Sequence, residues 1–177
     1  RVIDTGDYFF NGGTVWLDTE PGDAPVLLDY LEKMRFWSKV EPRDATDELA
    51  VLSVVGPDTP AVLDRAGAPL PGPAYASSAL PGGGLVRRMP WPGTQAADLL
   101  VPRADKDAWL ARLTAAGARP AGTMAFEALR VEALAPRLHL DTDDRTIPHE
   151  VGWIPSAVHL TKGCYRGQET VARVANL

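Results

Sequence analysis

Between residues 49 and 117, apolar runs alternate with turn residues in an order that few folds can satisfy. Leu49 begins an apolar, β-branched run that ends at Gly56-Pro57, a pattern typical of a strand. The predicted elements are a strand at 49–55, a helix at 58–66, a loop at 67–81, strands at 85–91 and 97–101, and a helix from Asp105 to Gly117. Strand, helix, strand, strand, helix is the order in which a split βαβ, ferredoxin-like unit begins.

The flanking regions add a hairpin, two helices and further strands. Asn11-Gly12-Gly13 joins two β-like runs, and such turns favour hairpins because positive φ costs little at glycine. The predicted elements are strands at 2–10 and 14–18, a helix from Asp23 to near Trp37, a strand at 38–43, a turn at 46–48, a helix at 123–133, an extended connection at 147–160 and a strand at 170–174. This order predicts an α+β protein with antiparallel sheets.

The same order divides the chain into three segments. We expect part of a first α+β segment at 1–45 and the ferredoxin-like segment at 46–122. The remaining segment, 123–177, consists of a helix, a loop and a strand that returns to the first segment.

Composition excludes several classes of protein. The net charge of −5 argues against a nucleic-acid partner, because proteins that bind nucleic acids usually carry a basic face. No apolar run approaches the ~20 residues of a membrane span, and no secretion signal is visible, so no membrane partner is expected. A single cysteine fits a reducing, cytoplasmic compartment. The abundance of Ala, Arg, Pro and Gly is typical of a GC-rich bacterial genome.

The single cysteine, Cys164, lies in the octapeptide Lys-Gly-Cys-Tyr-Arg-Gly-Gln-Glu at residues 162–169, called here the signature octapeptide. A lone thiol forms no internal disulfide and is too few ligands for a zinc or cluster site. Lys162 lies two residues before it, and a nearby cation favours thiolate over thiol. Gly163 and Gly167 bracket it and let a backbone or a ligand approach closely. The alternative is a buried cysteine that packs as a small hydrophobe in a turn.

The signature octapeptide resembles that of the YgfZ family, folate-binding relatives of the glycine-cleavage aminomethyltransferases. That family's pattern is Lys-Gly-Cys-Tyr-x-Gly-Gln-Glu, and all seven fixed positions are present. The resemblance implies the aminomethyltransferase folate-binding fold, tetrahydrofolate as the bound cofactor, and a cytoplasmic role with iron–sulfur client or assembly proteins. Since the chain has no initiating Met, we expect it to be the interior of a longer protein whose C-terminal barrel lies beyond residue 177.

Further site residues follow from the resemblance. The aminomethyltransferases carry a similar Arg-x-Glu at a helix end, which matches Arg130 and Glu132, and its carboxylate reads the pterin. A carboxylate can accept two parallel N–H bonds from a 2-amino-pyrimidinone edge. The alternative is a solvated helix-end pair. Asp4 matches the first member of an acidic pair in that family's first hairpin, whereas Thr5 stands at the second position.

We infer roles for the signature residues from their own chemistry. Cys164 and Lys162 are the reactive pair, in which the thiolate ligates iron transiently or attacks a one-carbon or sulfur species. Tyr165 stacks on a ring or packs in the core, and the sequence leaves both open. The remaining folate-site candidates in the octapeptide are Gly163, Gly167, Gln168 and Glu169, of which the last two are expected to orient the loop by hydrogen bonds.

Three alternatives remain open. A folate-dependent aminomethyl or one-carbon transferase would tolerate loss of the thiol, and a binding module would use Cys164 structurally. The third alternative is a cysteine protease, which needs an oriented imidazole beside the thiol; His159 lies five residues upstream. Metal binding is not expected, because the spacing of His139, His149, His159 and Cys164 matches no common zinc motif.

Overall fold

The computed structural model describes the backbone of residues 8–11, 14–93 and 95–177, and the side chains of the last two ranges. The strands in these ranges are β1 (Tyr8–Asn11), β2 (Thr14–Leu17), β3 (Leu49–Val55), β4 (Ser77–Ala79), β5 (Leu85–Met89) and β6 (Ala96–Pro102). The helices are α1 (Ala24–Met34), α2 (Thr59–Arg65), α3 (Lys106–Ala115), α4 (Thr123–Glu132), α5 (Ile154–Ala157) and α6 (Gln168–Ala175). The chain is an α+β protein, as the sequence predicts.

The chain divides into two compact units. One consists of Pro21–Leu134, and the other combines the N-terminal segment up to Glu20 with Ala135–Leu177. The three-segment division drawn from the sequence stays a prediction.

The larger unit is built on a four-stranded antiparallel sheet of order β3-β6-β5-β4. β6 is antiparallel to both β3 and β5, so β3 and β5 run parallel with β6 between them. Helix α2 connects these two parallel strands, and α3 follows β6. This arrangement is the split βαβ unit that the order of apolar runs predicts.

One face of the sheet forms the hydrophobic core together with α2 and α3. Alternate residues of β3 and β6 point to this face because side chains on a strand have a period of two. The helices contribute Leu63 and Trp109, both buried. The buried residues of the cluster are Ala50, Val54, Val62, Leu63, Ala66, Ala68, Leu80, Val86, Ala97, Leu99, Val101, Trp109, Leu113 and Ala116.

The opposite face of the sheet is buried along β5 and β6 and carries a polar network. Arg87 of β5 lies opposite Asp98 of β6, and its Nη2 donates to the Asp98 carboxylate at 2.9 Å. Ser53 of β3 donates its hydroxyl to the other carboxylate oxygen at 2.6 Å. The Arg87 side chain is only 2% exposed. Burial of both faces explains why β6 is almost continuously apolar in sequence.

The loop predicted at 67–81 contains an edge strand, β4, and that part of the prediction is wrong. Ser77–Ala79 pairs with β5 although its residues are small and exposed. Pairing at a sheet edge depends on backbone hydrogen bonds, which a polar strand can make without an apolar pattern. The turn from β4 to β5 runs through Gly82, Gly83 and Gly84, all with positive φ.

The strand predicted at 38–43 is also wrong. This stretch follows α1 without regular structure, and Arg35 ties it to the helix end by donating to the Val40 carbonyl at 3.2 Å. A short polar run becomes a strand only where a partner strand accepts its backbone bonds, and no strand among the described residues pairs with this stretch. The N-terminal hairpin is present as β1 and β2, whereas residues 2–7 of its first predicted strand lie outside the described residues.

Candidate functional site

The signature octapeptide forms a turn that leads into α6, within the smaller unit. Gly167 takes the left-handed conformation, with φ of +81°, at the position before the helix, a geometry that glycine adopts at little cost. Gln168 closes the turn twice. Its backbone N–H donates to the Tyr165 carbonyl at 3.3 Å, and its Oε1 accepts the Tyr165 N–H at 2.9 Å. The glutamine thus orients the turn, as the sequence predicts.

The strand predicted at 170–174 is wrong, because this segment is helix α6. Thr170, Val171 and Val174 favour a strand by propensity. The left-handed Gly167 instead directs the chain into a helical turn, in which the Val171 N–H donates to the Gly167 carbonyl at 3.3 Å. Val171 is the buried residue of the helix. Burial of one helix face has therefore overridden the local propensity.

Cys164 is a free and exposed thiol just before this turn. The alternative of a buried cysteine that packs as a small hydrophobe is therefore wrong. The Lys162 ammonium lies over the Tyr165 ring, 5.4 Å from its centroid, so Lys162 contacts an aromatic face. The influence of Lys162 on the thiol stays a prediction.

In the described part of the chain, no metal-binding group brings the histidines together with Cys164. His159 is exposed, and its Nδ1 accepts the Thr161 N–H at 3.3 Å, so the imidazole is oriented by its own loop. His149 differs, because both of its ring nitrogens are buried without a hydrogen-bond partner. Among the described residues, no group of three or more His, Cys, Asp or Glu side chains could hold a metal ion.

Arg130 and Glu132, the predicted pterin-reading pair, lie at the end of α4 in the larger unit. They point in different directions because residues two apart on a helix do not share a face. Arg130 is buried, and its Nε donates to Glu127 at 2.9 Å. Glu132 is exposed, and its carboxylate is left open to solvent. Arg130 thus pairs with Glu127, and the role of Glu132 toward a pterin stays a prediction. Asp4 lies outside the described residues.

Two side chains that support this region, Glu127 and Phe126, were not predicted from the sequence. Glu127 holds Arg130 three residues further along the helix, a spacing that the sequence does signal. Phe126 packs against Trp91 with ring centroids 5.8 Å apart, a contact that no local pattern reveals. The contacts of Glu127 and Phe126 lie on a side of α4 that does not carry Glu132.

Another ion pair, not predicted from the sequence, joins the N-terminal and C-terminal segments of the smaller unit. Arg137 donates to Glu20 in a bidentate arrangement, with Nε and Nη2 at 2.9 and 2.6 Å from the two carboxylate oxygens. Both side chains are mostly buried, and such forked pairs are geometrically specific. The partners are 117 residues apart, so sequence spacing could not indicate them.

The acidic loop around Asp143 is ordered by its own side chain. The Thr146 hydroxyl and the backbone N–H groups of Arg145 and Thr146 donate to the Asp143 carboxylate. These bonds, the Thr146 side chain first, hold the pKa of Asp143 below its ordinary value of 3.8. The acidic side chains of the loop, Asp141, Asp143 and Asp144, are exposed, and the loop leads into the connection that precedes α5.

Fold and site together define an α+β protein with an exposed thiol on a glutamine-tied turn. No family model matches the chain. A chloroplastic protein of Arabidopsis thaliana, At1g60990, which is named a transferase on a provisional basis, is 26% identical over 182 aligned residues. The alignment covers 98% of this chain and 41% of the plant protein. The chain thus spans less than half the length of this relative.

One finding bears on the membrane expectation. Among the described residues, no helix is both long and apolar enough to span a bilayer.

Proposed function

We propose that this chain binds tetrahydrofolate and assists the assembly or repair of iron–sulfur proteins through Cys164. The observation that carries the proposal is the presentation of the thiol. Cys164 is exposed beside a turn that Gln168 closes with two hydrogen bonds. A thiol held at the surface of an ordered turn is accessible to a partner protein or a small thiol.

The chemistry assigned to Cys164 is transient ligation of iron, in which the thiol loses its proton to solvent and the thiolate replaces a labile ligand of the iron without a change of oxidation state. The thiolate is the form that ligates a metal. One thiolate cannot hold a four-ligand cluster by itself. The remaining ligands would come from glutathione or from the client protein, which fits a factor that transfers or repairs clusters and does not store them.

The residue proposed to hold the pterin is Glu132. Its carboxylate is exposed at the end of α4, so it is open to two parallel N–H bonds from the 2-amino-pyrimidinone edge. Arg130 is assigned a positioning role, because it is buried and held by Glu127. The other folate-site candidates predicted from the sequence belong to the same proposal: Asp4, Gly163, Tyr165, Gly167, Gln168 and Glu169. Bound tetrahydrofolate would supply a carrier for one-carbon units.

A second candidate function is a folate-dependent aminomethyl or one-carbon transferase. The Arabidopsis relative favours it, because its provisional name is that of a transferase. The two functions predict different effects when the Cys164 thiol is removed. A transferase should retain turnover with Cys164→Ser, whereas an iron–sulfur factor with that substitution should bind folate yet fail to restore iron–sulfur enzymes in cells.

The test is a tetrahydrofolate titration followed by tryptophan fluorescence, on the chain and on its Glu132→Gln variant. Glutamine keeps the shape of the side chain and removes the charge. Loss of a charge-assisted bidentate contact should weaken binding roughly tenfold or more. Glu41→Gln, at an exposed carboxylate remote in sequence, is the matched control and should bind like the parent. No saturable binding by the folded parent would overturn the folate proposal.

Complementation separates the two candidates. Cells that lack the endogenous factor are given the parent, Cys164→Ser or Glu132→Gln, and the activity of an iron–sulfur enzyme is measured with protein levels matched. The proposal expects rescue by the parent alone. Full rescue by Cys164→Ser would contradict the assigned role of the thiol and favour the transferase.

A further inference from the structure

Helix α1 presents an apolar face that nothing in its own unit buries. The helix contains no buried residue. Val26, Tyr30 and Met34 follow one another at spacings of four, which places them on one face of a helix. Their exposed fractions are 73, 45 and 49%. A helix in a soluble protein normally turns such a face toward a core.

The segment after α1 extends this face with two aromatic rings. Phe36 and Trp37 are 75 and 98% exposed, and Val40 follows them on the surface. The segment is held in place, since the Ser38 N–H donates to the Arg35 carbonyl at 2.7 Å and the Arg35 side chain donates to the Val40 carbonyl. Phe36 has φ of +43°, a conformation that bulky residues rarely adopt. We name the whole set the apolar ridge: Val26, Tyr30, Met34, Phe36, Trp37 and Val40.

The charged side chains beside the apolar ridge are paired with one another. Lys33 contacts Asp29 at 2.5 Å, and Arg35 contacts Glu32 at 2.9 Å. These two pairs leave α1 and its last turn without net charge. A partner surface therefore needs no opposite charge, and two identical copies would meet without like-charge repulsion.

The area of the apolar ridge fits an interface between two copies. A whole aromatic side chain has roughly 150–250 Å² of surface, so at their exposed fractions Tyr30, Phe36 and Trp37 present on the order of 400 Å² together. The three aliphatic side chains bring the exposed area of the apolar ridge to on the order of 600 Å². A stable interface buries about 800 Å² per partner, including its polar rim. Exposed apolar patches of several hundred Å² mark interaction sites.

We propose that the apolar ridge is the interface of a homodimer in which two α1 helices pack antiparallel about a twofold axis near Tyr30. Such an interface is isologous, so each copy offers the same surface. An axis at Tyr30 sets Val26 of one copy against Met34 of the other, because these residues lie four positions to either side of Tyr30. The aromatic rings then cover the ends of the helix pair.

The test is sedimentation velocity of the chain over a wide concentration range, with Trp37→Ser and Val26→Ser variants. The parent should be dimeric, and each substitution should raise the dissociation constant at least tenfold, because a few large apolar side chains dominate interface energy. Met124→Ser is the control, since Met124 is 82% exposed on α4 outside the apolar ridge, and it should leave the constant unchanged. Circular dichroism confirms that each variant is folded.

A cross-link checks the geometry. Tyr30→Cys in a Cys164→Ser background should form an intermolecular disulfide under mild oxidation, whereas Leu110→Cys on α3, 43% exposed, should not. A parent that stays monomeric at every concentration would overturn the proposal, and shielding of Trp37 from acrylamide in that monomer would place the ridge against the rest of its own chain. Equal dissociation by Met124→Ser would overturn it as well.

Discussion

Gln168 and Tyr165 are joined by two hydrogen bonds of opposite direction. The Gln168 Oε1 accepts the Tyr165 N–H at 2.9 Å, and the Gln168 N–H donates to the Tyr165 carbonyl at 3.3 Å. Between them the chain passes through the left-handed Gly167. The turn that follows Cys164 is therefore fixed by one side chain and one glycine, and the thiol itself takes no part in holding it.

Substitution of Gln168 by Ala should loosen this turn without unfolding the protein. The side-chain bond is lost, and a hydrogen bond of this kind contributes about 1 kcal/mol to the free energy of unfolding. Amide hydrogen exchange, followed by NMR, should be faster at the Tyr165 N–H in the variant than in the parent, and this increase should exceed that at other positions. Glu169→Ala is the control, since Glu169 is exposed and does not close the turn. Unchanged exchange at Tyr165 in Gln168→Ala would show that the side-chain bond does not hold the turn.

Gly84→Ala should destabilise the larger unit strongly. A Cβ at this position would lie 2.1 Å from the Leu100 carbonyl oxygen, with φ at +84°, so the backbones of the turn and of β6 would have to separate. Gly82→Ala is a close control, because Gly82 has φ of +86° and open space around its Cβ. The control should lose about 1–2 kcal/mol from the left-handed conformation alone. Urea unfolding that gave equal losses for both variants would refute the steric argument.

Arg87→Ala should cost far more stability than loss of an exposed ion pair. Arg87 and Asp98 are 2 and 12% exposed, and removal of the arginine leaves a buried carboxylate without its main counter-charge. Such changes cost about 3–5 kcal/mol. Lys33→Ala, which breaks the exposed pair with Asp29, should cost at most about 1 kcal/mol. Chemical denaturation of both variants measures the contrast, and a small loss for Arg87→Ala would argue that the polar network contributes little.

The sheet of the larger unit could be predicted because its signals are local. The run from Leu49 to Val55 is apolar and β-branched, and β6 is apolar because both sheet faces are buried. The sequence could not supply the tertiary contacts that decide the secondary structure of segments with weak local preferences. β4 exists because β5 accepts its backbone bonds, and the segment after α1 lacks a partner strand. Propensity favours a strand at Val171, where burial on a helix face prevails.

The candidate site was predicted unevenly for similar reasons. The signature octapeptide identified Cys164, Lys162 and Gln168 as site candidates, because motif positions can be read directly from the sequence. It could not show that the Lys162 ammonium lies over the Tyr165 ring. Nor did it name the partner of Arg130, although helix geometry favours an i, i+3 contact such as Glu127. The long-range pair of Glu20 and Arg137 has no such local signal.

The carboxyl group of Asp143 should titrate below the ordinary range of aspartate. Its pKa is lowered first by the Thr146 hydroxyl and then by the Arg145 N–H. A pKa that is lower in the folded than in the unfolded state contributes stability above the unfolded pKa of about 4, and this stability is lost as the pH falls through the folded pKa. The loop should therefore be ordered at neutral pH and loosen in acid.

An NMR titration of the Asp143 side-chain carbon measures this pKa directly. Thr146→Val removes the hydroxyl at nearly constant shape and should move the midpoint upward, toward the ordinary value of 3.8. Thr146→Ser keeps the hydroxyl and should hold the midpoint low. Asp143→Asn should abolish the acid-dependent change in the Arg145 and Thr146 amide signals, because the group that titrates is gone. An unchanged midpoint in Thr146→Val would mean that the backbone N–H bonds alone set the acidity of this carboxyl group.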